Sequence, residues 1–99
     1  MGMNRGDTQG RPIFFVRLND DSMLPRYRRG AVLCIDPART PEIGDEVYVE
    51  ADSPAFRLVG ILVYRRSDKV CIKPYASAAR DLPAAVRISR IVPAEEFLL

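Results

Sequence analysis

A single, mainly β domain is what this 99-residue sequence predicts, and three observations predict it. Short runs rich in valine, isoleucine, leucine and aromatic residues recur along the chain, and branched and ring side chains suit an extended, half-buried backbone. Turn-forming residues stand between those runs, with most of the eight prolines at the joints. No window of about eleven or more residues keeps the apolar period of a helix.

Residues 1–12 are polar and glycine-containing without periodicity, so they are expected to form a flexible lead-in to a domain over residues 13–99. Ile13 to Leu18 reads as the first strand; within it Phe14 and Phe15 must point to opposite faces, one into the core and the other outward. Ser22 to Arg28 has room for one short helical turn. Ala31 to Asp36 is the second strand, bounded by Arg29-Gly30 and Asp36-Pro37. Glu46 to Glu50 follows the Ile43-Gly44-Asp45 turn, and Phe56 to Arg65 follows Asp52-Ser53-Pro54. Val70 to Lys73 comes after Ser67-Asp68. Val86 to Val92 alternates apolar and polar residues before Pro93, and Ala94 to Leu99 can add a last helical turn. Six strands is the minimum, arranged as a coiled, partly closed sheet.

Composition removes several classes of function. Fifteen basic and 13 acidic residues leave a net charge of +2, a weak electrostatic signature for direct nucleic-acid binding. Only Lys69 and Lys73 are lysines; the other cations are arginines, which favour fixed ion pairs over a diffuse basic coat. The chain has no histidine, so a serine-histidine-acid triad cannot form within it. Cys34 and Cys71 stand singly in apolar runs and read as small core residues, so no metal site and no cofactor is expected. No apolar run approaches the roughly 20 residues that span a bilayer, and the default expectation is a cytoplasmic protein without membrane contact.

The chemistry-bearing segment is Asp20-Asp21-Ser22-Met23-Leu24-Pro25. Pro25 stiffens the backbone just after the serine, and Asp21 can hydrogen-bond nearby amides to hold the turn. A plainer reading is a serine that caps the turn while Met23 and Leu24 plug the core. Beyond it come Tyr27-Arg28-Arg29-Gly30-Ala31-Val32-Leu33, Ile35-Asp36-Pro37 and Gly44-Asp45-Glu46-Val47-Tyr48-Val49. In that order and spacing the segments resemble the C-terminal domain of LexA and lambda-type phage repressors, and the likeness extends more weakly over about residues 13 to 99. The resemblance implies a LexA/signal-peptidase-like fold, a Ser-Lys self-cleaving peptidase ancestry and Ser22 at the nucleophile position.

A serine hydroxyl needs a base to become a nucleophile at neutral pH. The resemblance places that base, a lysine, in the Phe56 to Val63 stretch. One register sets the lysine position at Gly60, a shift that matches Arg57-Leu58 to the family's Lys-Arg-Leu sets it at Phe56, and neither residue is a lysine. Lys69 lies nine residues past Gly60, too far along a strand at about 3.3 Å per residue to reach Ser22. Arg57 stays protonated and cannot serve. Gly60 also has a packing explanation, since glycine within a strand marks a bulge or a close backbone approach.

The expected function is therefore a catalytically inactive repressor-type domain used for dimerisation or partner binding in transcriptional regulation. It would pair with itself or with a repressor-type protein, and reach DNA only through a separate DNA-binding domain. Its expected pairing edge is Val86, Ile88, Ser89, Arg90 and Ile91; the other reading of that strand is that it closes the sheet internally. The alternatives are an active self-cleaving serine peptidase with an unrecognised base or a lysine from another chain, and direct DNA contact through Arg26, Arg28 and Arg29 beside Tyr27.

Overall fold

The structure, a computed structural model, describes residues 11–52 and 54–93. The expected lead-in, except for Arg11 and Pro12, and the expected turn over Ala94 to Leu99 lie outside the described residues. Seven strands form one antiparallel sheet: β1 (Phe14–Arg17), β2 (Val32–Asp36), β3 (Glu46–Asp52), β4 (Ala55–Arg65), β5 (Lys69–Lys73), β6 (Arg80–Pro83) and β7 (Arg87–Ile91). Their spatial order is β1-β2-β7-β3-β4-β5-β6, and β1 and β6 are its two ends. Six of the seven coincide with the expected runs to within about two residues; β6 is additional. Among the described residues no helix is long and apolar enough to cross a membrane.

Because side chains alternate across a strand, the uninterrupted pairing of β3 with β4, from Glu46 with Ile61 to Asp52 with Ala55, fixes which residues share a face. Tyr48 and Val59 lie on one face, where they join Val16, Met23, Ile35 and Ile91 in the first core cluster. Val47, Val49 and Leu62 lie on the other, with Ile72, Leu82 and Val86 in a second cluster. Each face of the sheet thus carries its own core. Phe14 packs against the first cluster, edge-on to Tyr48 at 5.8 Å between ring centroids, while Phe15 is 66% exposed. The two adjacent phenylalanines split between core and solvent as expected.

The Ser22 to Arg28 segment makes turns rather than a helix, closed by Leu24 N–H to the Asp21 carbonyl at 3.2 Å and Tyr27 N–H to the Met23 carbonyl at 2.9 Å. Met23 is fully buried and plugs the first cluster. Leu24 does not; it is 40% exposed. Cys34 and Cys71 are buried free thiols, as core residues should be, and burial raises both above the ordinary thiol pKa.

Candidate functional site

Ser22 sits on the loop between β1 and β2, and the loop's two ends are tied together. Leu18 N–H donates to the Ala31 carbonyl at 2.9 Å, and Gly30 N–H donates back to the Leu18 carbonyl at 2.8 Å. The carboxylate that shapes the turn is Asp20 rather than Asp21. Asp20 Oδ1 accepts from Ser22 N–H at 3.0 Å and from the Ser22 hydroxyl at 2.7 Å, whereas Asp21 lies 3.7 Å from Arg29. An aspartate two residues before the amide it accepts from is a local turn device, and the Asp-x-Ser spacing is the sequence signal for it. The hydroxyl bond, with the amide bond behind it, holds Asp20 below the usual carboxylate range.

A second brace reaches the turn from the far end of the sheet. Ala76, in the loop after β5, donates its N–H to the Ser22 carbonyl at 2.8 Å. Glu46, at the start of β3, accepts from Arg26 Nε at 2.9 Å and from the hydroxyls of Tyr27 and Tyr75 at 2.7 Å each. One carboxylate therefore joins the serine turn, through Arg26 and Tyr27, to the loop that holds the serine's backbone. Burial and the bond to Glu46 push the Tyr27 hydroxyl up to about 12, and the same two causes raise Tyr75.

Ser22 opens onto a cleft of ≈ 80 Å³, which Arg17, Asn19 and Asp20 line from the β1 side and Arg57 to Val59 from β4. Arg57 shares the sheet face of Val59, the face on which the serine turn packs. Gly60 and Phe56 do not line the cleft, and their side-chain positions, like that of Leu58, belong to the opposite face of the sheet. Phe56 packs against the second core cluster. Gly60 is pressed against β5: a Cβ there would meet Ile72 Cγ2, the Lys73 carbonyl carbon and Pro74 N, each at 2.8 Å. The close-approach explanation of this glycine is the one the geometry carries.

Neither lysine lines the cleft. Lys73 Nζ donates to the Pro74 and Ser77 carbonyls, both at 2.9 Å, and Lys69 Nζ lies 3.7 Å from Asp81. Among the described residues the hydrogen-bond partner of the Ser22 hydroxyl is Asp20. The arrangement presents a serine to solvent beside an acidic group and a permanent cation. Arg57 and Glu46 were not singled out as site residues in the sequence: both registers considered for β4, Gly60 and Phe56, lie on the face opposite Arg57, and Glu46 meets Arg26, Tyr27 and Tyr75 only through segments far apart in the chain.

The expected pairing edge needs correction. β7 is an interior strand, joined to β3 from Arg87 to Arg90 and to β2 through Ile91 and Asp36's partner Arg90. Val86, Ser89 and Ile91 are buried, Ile88 packs against the second cluster, and Arg90 Nε lies 3.5 Å from Asp45. These side chains serve the cores, and the strand closes the sheet internally; the sheet's ends are β1 and β6. Of the three clustered arginines, Arg26 is bonded to Glu46 and Arg29 faces Asp21, which leaves little of that charge for a phosphate backbone.

A model of the Peptidase S24-like family matches residues 3–88 of the chain. No curated protein and no solved structure matches it.

Proposed function

The chain belongs to the Peptidase S24-like family, and from that premise we propose a domain that keeps a serine at the nucleophile position, Ser22, lacks the base that would activate it, and serves association in cytoplasmic transcriptional regulation. The observation that supports this reading is the cleft itself, whose lining from β4 is Arg57, Leu58 and Val59 and includes neither lysine. A guanidinium stays protonated under all ordinary conditions and takes no proton from an alcohol. The partner is a second copy or a repressor-type protein, and DNA is reached through that protein's own DNA-binding domain. Ile13, Phe15 and Val32, each more than half exposed, are large apolar side chains of the kind such association covers.

The test is intact-mass analysis of the protein after prolonged incubation between pH 7 and 10, with Ser22→Ala alongside, and sedimentation over a wide concentration range. An unchanged mass and concentration-dependent dimer, or a stable complex with a repressor-type protein, are expected. Serine-dependent fragments would refute the inactive reading, and a monomer that binds no such partner would refute the association reading.

One observation favours the alternative of an active self-cleaving peptidase. Asp20 Oδ1, 2.7 Å from the Ser22 hydroxyl, is placed to accept its proton. Yet a carboxylate held below its usual range is a poor proton acceptor. If Asp20 is the base, fragments form in the parent protein and vanish in both Asp20→Asn and Ser22→Ala.

A further inference from the structure

Three of the four tyrosines give their hydroxyl proton to a carboxylate: Tyr27 and Tyr75 donate to Glu46, and Tyr64 donates to Asp81. The fourth does not. Tyr48 is the most buried of them, 3% exposed, yet its hydroxyl makes no hydrogen bond with any described residue. A buried phenol ordinarily finds a partner, because one left without keeps the full cost of losing water. The ring is also fixed in place: Tyr48 stands between Val59 on β4 and Ser89 on β7, with Phe14 edge-on to it at 5.8 Å. The polar space that Tyr48 borders is the Ser22 cleft.

We infer that Tyr48 is a recognition residue, whose hydroxyl bonds an uncharged polar side chain, a carboxamide or a hydroxyl, that a partner polypeptide places in this cleft. The inference deepens the proposed function and rests on it in one respect, that the cleft holds a chain and does not cut it. Three properties select that class. An apolar side chain would cover the phenol and leave it unpaired, whereas a polar one pairs with it. A formal charge of either sign meets its like on the wall, since a carboxylate would lie by Asp20 and a cation by Arg57, which shares the sheet face of Tyr48. A carboxamide brings both a donor and an acceptor, matching a phenol that can do either and a Ser22 oxygen whose own proton is already given to Asp20.

The test titrates the isotopically labelled protein with a blocked tripeptide, Ala-Asn-Ala, and with its Leu and Asp counterparts, following backbone amides and the Tyr48 ring by NMR. Saturable shifts at the Tyr48 ring and around residues 16–22 and 57–59 are expected for the Asn peptide, with binding about fivefold weaker for the Leu peptide of nearly the same shape. Tyr48→Phe should bring the Asn peptide down to the affinity of the Leu peptide, and Tyr64→Phe should leave the difference intact. Because the phenol has no partner in the free protein, Tyr48→Phe should also keep or raise Tm. A lowered Tm in Tyr48→Phe, equal binding of the Asn and Leu peptides, a difference that survives in Tyr48→Phe, or no saturable shift at millimolar peptide overturns the inference. An Asp peptide that binds as tightly as the Asn peptide overturns the assignment to an uncharged group. Mass analysis of the same samples separates the two readings: a cut peptide refutes the inactive cleft, whereas an intact, unbound peptide refutes this inference alone.

Discussion

Replacing Gly60 by alanine is the most direct probe of how β4 is set against the serine's cleft. The new Cβ would stand 2.8 Å from Ile72 Cγ2, the Lys73 carbonyl carbon and Pro74 N. Ordinary carbon contacts lie at about 3.5–4.0 Å, so each is short by roughly 0.7 Å or more. Ile72 is fully buried and cannot swing away, and the other two atoms are backbone. β5 must therefore move as a unit. Overpacking of this kind costs about 1–3 kcal/mol, and removing a glycine from a strand returns about 0.5–1 kcal/mol, leaving a net loss of up to about 2 kcal/mol. For a domain of this size that lowers Tm by up to about 8–16 °C. Thermal and urea unfolding followed by far-ultraviolet circular dichroism read it directly. Gly30→Ala supplies the contrast, since nothing lies within 4 Å of its Cβ and its cost of about 1–2 kcal/mol comes from φ +91° alone. A Gly60→Ala protein more stable than the parent would show that position 60 has space for a side chain and that a lysine there is sterically open.

Glu46→Ala removes the acceptor of three hydrogen bonds and should cost about 2–3 kcal/mol, with faster hydrogen exchange at Ala76 as the serine turn and its bracing loop separate; unchanged exchange would contradict the coupling. Tyr27 should make the fold sensitive to alkali. Its folded pKa of about 12 exceeds the ordinary 10, so the unfolded chain gives up this proton first. The associated stability is intact below pH 10 and lost as pH rises towards 12. At full strength that is about 2.7 kcal/mol, reduced to roughly half by the ring's access to solvent, and Tyr27→Phe should flatten urea-derived stability over that window. Asp20 titrates in the opposite sense: its lowered pKa favours the fold above the ordinary carboxylate range, and that contribution fades as pH falls. Ser22→Ala deletes the largest cause, so carbon-detected NMR should find the Asp20 carboxyl titrating at higher pH, though still held by the residue 22 amide.

Six of the strands were legible because each combines branched or aromatic residues with a turn signal on either side. β6 was not, since Arg80-Asp81-Leu82-Pro83 offers one buried apolar residue and a proline, and only its pairing with β5 makes it a strand. The serine's place on the turn after the first strand was legible from the motif, but which β4 residues line its cleft was not. β4 carries apolar residues on both faces, from Phe56 and Leu58 to Val59 and Ile61, and so gives no alternation from which parity can be read. Likewise the alternation over Val86 to Val92 reports one covered face and says nothing of neighbours within the sheet. That depends on chain order in space, which pairing alone reveals.

Because β7 is the last of the described strands in chain order yet lies between β2 and β3, the sheet resembles a jacket closed by its final fastening. The β1–β2 ribbon and the β3–β6 meander are each built from consecutive strands and can form as they leave the ribosome. Until Arg87–Ile91 has emerged, both halves keep a raw flank of unpaired amides and carbonyls, open to mispairing or to chaperones. The seam therefore cannot shut before Arg87–Ile91 has been made, and a chain cut between Pro83 and Arg87 keeps two loose halves instead of a shortened domain.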